Sequence, residues 1–481
     1  MPPLRLIADT FGDELEAGFN AIRTELQVPD GFAPNVLEAA AKAAQRGPTL
    51  PPGASGDYID RTEIDLVTID PPDSIDLDQA YAATETSTGY RVSYAIADVA
   101  AFVHPGDPID DEARSRGVTL YSPDSRSSLH PEALNEAAAS LLPDATRPAV
   151  LWEIDLDYEG RKVGAIAQRA MVSSRRKLSY AKAQELIDAE TDDESLRLLK
   201  VIGELRQTLE AERGAISLQL PAQEIRQVGD GDYELAYEKS MQVEGWNAQI
   251  SLLTGMAAGD IMVEAGHGLL RTLPPLQDRA VEDVRRTAKA LDVPWPKHLS
   301  YADRVRQLDP NNAAEAALLT RAARSFRGAG YDAFANHEMP EQPLHGAIAA
   351  IYAHVTAPLR RVCDRFANEI VLAHCADQPA PAWALEALEE LPELMGQSRQ
   401  RDRSLERAMV DFVEAVALQH RIGSVFKGTV LSHRRKGANV QLRHPAVLAG
   451  IGTKPEIGSE ISLRLDSVDT IARRIAFSAV D

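Results

Sequence analysis

Apolar and polar positions alternate through Glu63–Ile69, with Ile64, Leu66, Val67 and Ile69 as the apolar members. That pattern predicts a half-buried strand delivering Asp70 at its end. Pro71 and Pro72 follow, and neither can donate a ladder hydrogen bond, so the strand stops there. The loop then returns Asp73, Asp76 and Asp78 before an apolar run resumes. Tyr90–Val103 is apolar on both faces, which predicts a central strand, and Leu151–Val172 predicts a hairpin turned at Tyr158-Glu159-Gly160. Helical spacing marks Leu15, Phe19, Ile22 and Leu26, then residues 34–45, 179–213, 240–292 and 312–327. Beyond residue 422, short strands separated by glycine turns predict a small five-stranded barrel.

The expected fold class is therefore α+β in three parts. Residues 1–60 form a small helical N-terminal unit, either helix-turn-helix-like or an arm packed on the body; 61–421 hold a mixed sheet packed by helices; 422–481 hold the barrel.

Composition narrows the function. A chain of 481 residues can hold two or three domains and bury a substantial core. Cys363 and Cys375 give neither a zinc spacing nor a disulfide framework, which fits a reducing cytosol. The N-terminus lacks the apolar core of a signal peptide, and no apolar run is long enough to span a membrane. A cytoplasmic, membrane-free monomer is expected. The net charge of −21 argues against a protein that coats nucleic acid. Basic surface must be local, and it concentrates in the tail at Lys427, Arg434, Arg435, Lys436, Arg443, Arg464, Arg473 and Arg474.

The acids point to a cation. Two carboxylates about 4 Å apart repel by roughly 4 kcal/mol at an effective dielectric of 20. Oxygen ligands without Cys or His favour Mg²⁺ or Mn²⁺ over zinc. A solvated acidic loop is the alternative, and spacing alone does not separate the two. An EF-hand would need glycine at Tyr81 and glutamate at Ser87.

The run IDPPDSIDLDQA resembles the acidic signature of the RNB domain, the catalytic domain of the ribonuclease II/ribonuclease R family of exoribonucleases. A second stretch, LHGAIAAIYAHVTAPLRRVCDRFANEIVLAH at 344–374, resembles another signature of that family. It holds His345, Gly346, His354, Thr356, Pro358, Arg360, Arg361 and Asp364, with Ala357 and Val362 as departures. Ala113, Arg116, Gly117, Thr119 and Tyr121 match a run between the two, and 422–481 resembles the family's S1 RNA-binding domain, an OB-fold. Residues 1–60 are too short and Ala-rich for the paired cold-shock barrels usual ahead of the catalytic domain.

The resemblance implies 3′–5′ hydrolysis of single-stranded RNA to nucleoside 5′-monophosphates, assisted by Mg²⁺, with Mn²⁺ able to substitute. It places Asp70, Asp76 and Asp78 on three of four metal-site aspartates, with Gln79 at the fourth position. Asp78 is expected as ligand or as orienter of the attacking water, and Arg360 as the phosphate clamp. Tyr121, His354, Arg361, Lys427, Arg434 and Arg435 are expected to face RNA, Tyr121 by stacking near the 3′ end. Pro358 is expected to begin a helix whose first turn presents both arginines. Gln79 brings no charge, so a weakly held metal is expected, as is a gain in metal affinity for Gln79→Asp; the opposing reading is that its amide donates to a neighbouring carboxylate and holds it, in which case Gln79→Asp slows the enzyme at every metal concentration. A catalytically weakened RNA-binding protein is the competing reading, motivated by Gln79 and by the lack of a second aromatic after Arg213–Pro221. A phosphatase using Asp70 as nucleophile would need a DxD motif that IDPPD does not present.

Overall fold

Leu66–Asp70, the strand that the alternation marks, lies inside the main sheet of the computed structural model. The structure describes residues 4–7, 12–216, 222–227, 233–238, 241–309, 312–323, 325–326, 328–442, 445 and 447–480. Two helices lead in, Asp13–Glu25 (α1) and Pro34–Arg46 (α2). The sheet then takes Ile59–Asp60 (β1), Leu66–Asp70 (β2), Gln79–Thr86 (β3) and Gly89–Ala97 (β4). A small hairpin follows, Leu120–Tyr121 (β5) with Arg126–Ser127 (β6), before Thr146–Asp157 (β7) and Lys162–Ser179 (β8) rejoin the sheet. Its order is β1-β8-β2-β3-β4-β7. The 18-residue β8 pairs antiparallel with β7 over its first part and parallel with β2 over its last, so the sheet curls back on itself.

Gln242–Ala265 (α3) and Val362–Cys375 (α4) pack in one core with Trp152, Ile154 and Val92 of the sheet. The expected helical span 240–292 is interrupted, because Gly266 adopts φ 78° and ends α3. A strand follows at Gly268–Thr272, paired with Gly330–Phe334. Another core, formed by Leu77, Ala80, Phe102 and Leu141, receives Ala40 and Ala43 of α2.

The long helix Leu391–Leu418 (α5) leads to the C-terminal strands Val425–His433 (β9), Ala438–Leu442 (β10), Leu448–Ile451 (β11), Glu460–Asp469 (β12) and Arg474–Val480 (β13). These form a nearly closed antiparallel barrel of order β11-β10-β9-β12-β13. Phe426 and Phe477 meet edge to face inside it, with ring centroids 6.1 Å apart, so both serve the barrel core. Leu15, Phe19 and Ile22 of α1 share that core with Met409 and Phe412 of α5. The two N-terminal helices thus bury their apolar faces in different cores.

Leu4–Ile7 pairs with Ala222–Gln227 in a separate small sheet. Residues 217–221, at the end of the aliphatic stretch noted above, lie outside the described residues, as does Arg443. Among the described residues no helix is long and apolar enough to cross a membrane.

Candidate active site

The acidic loop is held by Leu77, while its other aliphatic residue, Ile75, is exposed. Leu77 is fully buried; its N–H donates to Ser140 Oγ at 2.9 Å, and its carbonyl accepts from Leu141 N at 3.0 Å. Asp76 and Asp78 both bear on the Tyr121 hydroxyl, which burial and their charges raise, and so lie toward the same side.

The three acids differ in their surroundings. Asp78 is buried at the start of β3; Oδ1 accepts from Leu359 N at 2.8 Å, and Oδ2 lies 3.4 Å from Arg360 Nε. Burial pushes its carboxyl up to about 7, against the pull of Arg360. Asp76 Oδ1 accepts from Arg126 Nη1 at 3.0 Å, and Arg126 Nη2 also donates to Glu136 at 2.5 Å. Asp70 is raised to about 6, by burial first and by Asp76 in addition, while Arg360 and Lys177 oppose the shift. The three carboxylates do not converge as a set with oxygens all within 4.8 Å; among the described residues only His354, Cys363 and Asp364 form such a group.

Gln79 is already engaged at both ends. Its Nε2 donates to the Thr356 carbonyl at 2.6 Å, and its Oε1 accepts a short hydrogen bond from the Tyr94 hydroxyl. Burial, reinforced by Asp70, pushes Tyr94 far above the usual phenol range, so the hydroxyl stays a donor. Thr356 is fixed in turn by Ser251 of α3, with the two hydroxyls 2.9 Å apart. Gly255 lets this segment approach α3, since a Cβ there would meet the Tyr352 ring at 2.2 Å. Gln79, expected as a metal ligand, is thus placed as a bridge between β4 and the 356–361 segment.

That segment departs from its expected form. Pro358–Arg360 make a turn, Arg361 pairs with Val118 as an isolated bridge, and α4 begins only at Val362. The bridge brings Thr119–Tyr121 alongside, with Thr119 N donating to the Arg360 carbonyl at 3.0 Å. Arg360 and half-exposed Tyr121 then line one cavity of about 340 Å³. Arg271, Tyr331 and Arg399 also line it, and the sequence reading singled out none of them. They sit on three separate elements without a local signature. Burial, Arg271 and Arg403 lower Arg399 to about 10, so it remains charged near neutral pH. Crowded cations facing one cavity favour an anion there.

Two residues expected to face RNA are otherwise occupied. Arg361 is held as a fork by buried Asp364, at 2.9 and 2.7 Å, although it does reach the cavity wall. His354 Nδ1 lies 2.7 Å from the Tyr331 hydroxyl. Burial and the adjacent arginines hold its imidazole well below the usual range, so it is neutral and brings no charge to a phosphate. In the barrel, Lys427 faces Glu460 at 3.4 Å, while Arg434 and Arg435 are exposed on the turn after β9.

The residues fit a hard divalent cation. Among the described residues no hydrogen bond reaches the Asp70 carboxylate, and Asp76 has one oxygen not used by Arg126. Asp70 and Asp76 would hold the ion, with Asp78 close enough to share Arg360 with Asp70. Because metal ligands must be deprotonated, binding should release protons where Asp70 is partly protonated. Adding Mg²⁺ to metal-free protein at about pH 6 should acidify a weakly buffered solution, as read by an indicator dye, and at about pH 8.5 it should not. Equal release at both values would show that Asp70 is already ionised.

A curled mixed sheet with an acidic loop at a basic cavity, followed by an oligonucleotide-binding type of barrel, defines an α+β protein of two functional parts. The chain belongs to the RNB family: the RNB domain matches residues 58–377, and the RNase II-type exonuclease C-terminal S1 domain matches 424–480. Ribonuclease R of Escherichia coli (strain K12) is 24% identical over 534 residues, covering 98% of this chain and 64% of that protein. The chain thus spans less than two thirds of that relative's length. Among solved structures, Mycoplasma genitalium RNase R in complex with ribose methylated single-stranded RNA superposes with a TM-score of 0.83 at 20% identity, covering 97% of this chain and 78% of that one. Yeast Ssd1, described as a pseudonuclease, superposes with a TM-score of 0.68 at 16% identity, covering 93% and 55%. At these identities the likeness establishes the fold.

Proposed function

We propose that the protein is a divalent-metal-dependent exoribonuclease that hydrolyses single-stranded RNA from its 3′ end to nucleoside 5′-monophosphates. The observation that carries this reading is Asp78, buried and fixed by Leu359 N, facing an arginine that opens onto an anion-favouring cavity beside Asp70 and Asp76. A bound Mg²⁺ or Mn²⁺ would supply an activated water and neutralise charge on the leaving oxygen. The protein's own groups do the rest. Arg360 has donors free of protein partners among the described residues and presents them where charge grows on the phosphate. Asp78 holds that guanidinium in place and accepts a hydrogen bond from the attacking water. Tyr121 offers a ring face to a terminal base. The exposed arginines of the barrel hold the chain further upstream.

A second reading, an RNB-fold protein that binds RNA without cutting it, is favoured by Gln79, whose amide is engaged by Thr356 and Tyr94. A 5′-labelled single-stranded oligomer, incubated with and without Mg²⁺, separates the two. Stepwise shortening with release of mononucleotides only when metal is present supports the exonuclease. Tight binding with no product at any metal concentration supports the second reading.

A further inference from the structure

The hairpin β5–β6 carries two groups of the site on strands of two residues each. Tyr121 faces the cavity and Arg126 faces Asp76. A hairpin this short has little stiffness of its own, so its position must be set from outside.

The start of the hairpin is held by the Val118–Arg361 bridge and its second strand by Arg116, whose Nη1 donates to Ser127 Oγ at 3.2 Å; the turn between the strands is held by α1. Arg23 Nη1 and Nη2 donate to the two oxygens of Asp124 at 2.6 and 2.9 Å, and Nη1 also reaches Ser125 Oγ at 2.9 Å. Asn20, one turn back on α1, accepts from Nη2 at 2.6 Å and steadies the fork. Such bidentate pairs fix orientation as well as distance. The side chains are only 19% and 11% exposed, so solvent competes weakly. The segment after α1 adds a second grip, with Ser127 Oγ donating to the Pro29 carbonyl at 2.7 Å. α1 is itself immobilised by the core it shares with α5 and the barrel, and Arg473 of the barrel pairs with Glu25 at its end.

We infer that Arg23 is a positioning residue for the terminal nucleotide: by clipping Asp124 to α1 it fixes the turn of the hairpin, and together with the Val118–Arg361 bridge at the hairpin's start this sets where Tyr121 stands beside Arg360. Arg23 touches neither the acids nor the cavity, so it acts through the hairpin alone. The inference rests on the reading of Tyr121 as an RNA-facing ring.

The test uses the full chain and three variants: Arg23→Ala, Asp124→Ser, and the exchanged pair Arg23→Asp with Asp124→Arg. On an RNA of about five nucleotides, either single variant should raise KM about tenfold, the scale of losing one stacked base, with kcat within about threefold. The exchanged pair should recover most of the loss. On long RNA, which the barrel also holds, KM should barely move. An unchanged KM on short RNA in a folded single variant overturns the inference. So does an equal loss on short and long RNA with no recovery in the exchanged pair, which marks a purely structural role. Binding of a 5′-fluorescein pentanucleotide in EDTA, followed by anisotropy, keeps the test independent of catalysis. If the wild type binds it but never cuts, the exonuclease reading falls, while a tenfold weaker Kd for Arg23→Ala still supports positioning and an equal Kd overturns it.

Discussion

Asp78→Asn should lower single-turnover hydrolysis by about 10³-fold while changing RNA affinity less than about threefold. The asparagine oxygen can still accept from Leu359 N, which reaches Oδ1 at 2.8 Å. The other position becomes an amide whose N–H groups face Arg360 Nε, 3.4 Å from the present Oδ2, so attraction turns to repulsion. The guanidinium is then free to swing away from the phosphate, and the water loses its acceptor. Stability distinguishes this outcome from misfolding. Burial raises the carboxyl of Asp78 from the usual carboxylate range to about 7. Such a group contributes stability that is fully present below about pH 4 and is lost as pH rises through about 7. The neutral amide has no such loss, so the melting temperature of metal-free Asp78→Asn should gain on wild type between pH 4 and 8. Near-normal cleavage by the folded variant would remove Asp78 from the mechanism.

How much of this was legible depends on whether the signal is local. Alternation through Ile69 and the paired prolines marked β2 and its end. Those are properties of neighbours in the chain. The partner of Asp76 was not legible, because Arg126 lies fifty residues on and nothing near it announces a turn toward the acidic loop. The stripe of Leu15, Phe19 and Ile22 declared a buried face, but an amphipathic stripe does not name what covers it. Here α5 and the barrel do, from the far end of the sequence. Pro358 misled for a related reason. Proline suits a first helical turn, yet it also suits a tight turn, and the choice was made by the bridge between Val118 and Arg361. Arg271, Tyr331 and Arg399 converge only in three dimensions.

Gln79 is where the structure changes an expectation most. If the position merely lacked charge, Gln79→Asp would help the metal bind. The structure gives the amide a task that a carboxylate performs badly. Its N–H group donates to the Thr356 carbonyl at 2.6 Å, and an anionic oxygen there would face another acceptor. Leaving such a pair unmatched in a buried site costs about 1–3 kcal/mol. Aspartate is also one methylene shorter and withdraws from Tyr94, which now donates to Oε1. We expect Gln79→Asp to slow hydrolysis at every Mg²⁺ concentration by about tenfold or more, since the 356–361 segment also carries Arg360. Gln79→Glu separates shape from charge. It preserves length and the Tyr94 contact, and once protonated it can donate to Thr356 again. Burial raises a glutamate's pKa, so this variant should be closest to wild type in melting temperature near pH 5 and should fall behind as pH rises toward 8. Metal titrations of both variants decide the matter. A midpoint shifted to lower Mg²⁺ in either one would restore the view that the site is short of charge, whereas unchanged or higher midpoints with slower rates identify Gln79 as the bridge that holds the Arg360 segment against the sheet.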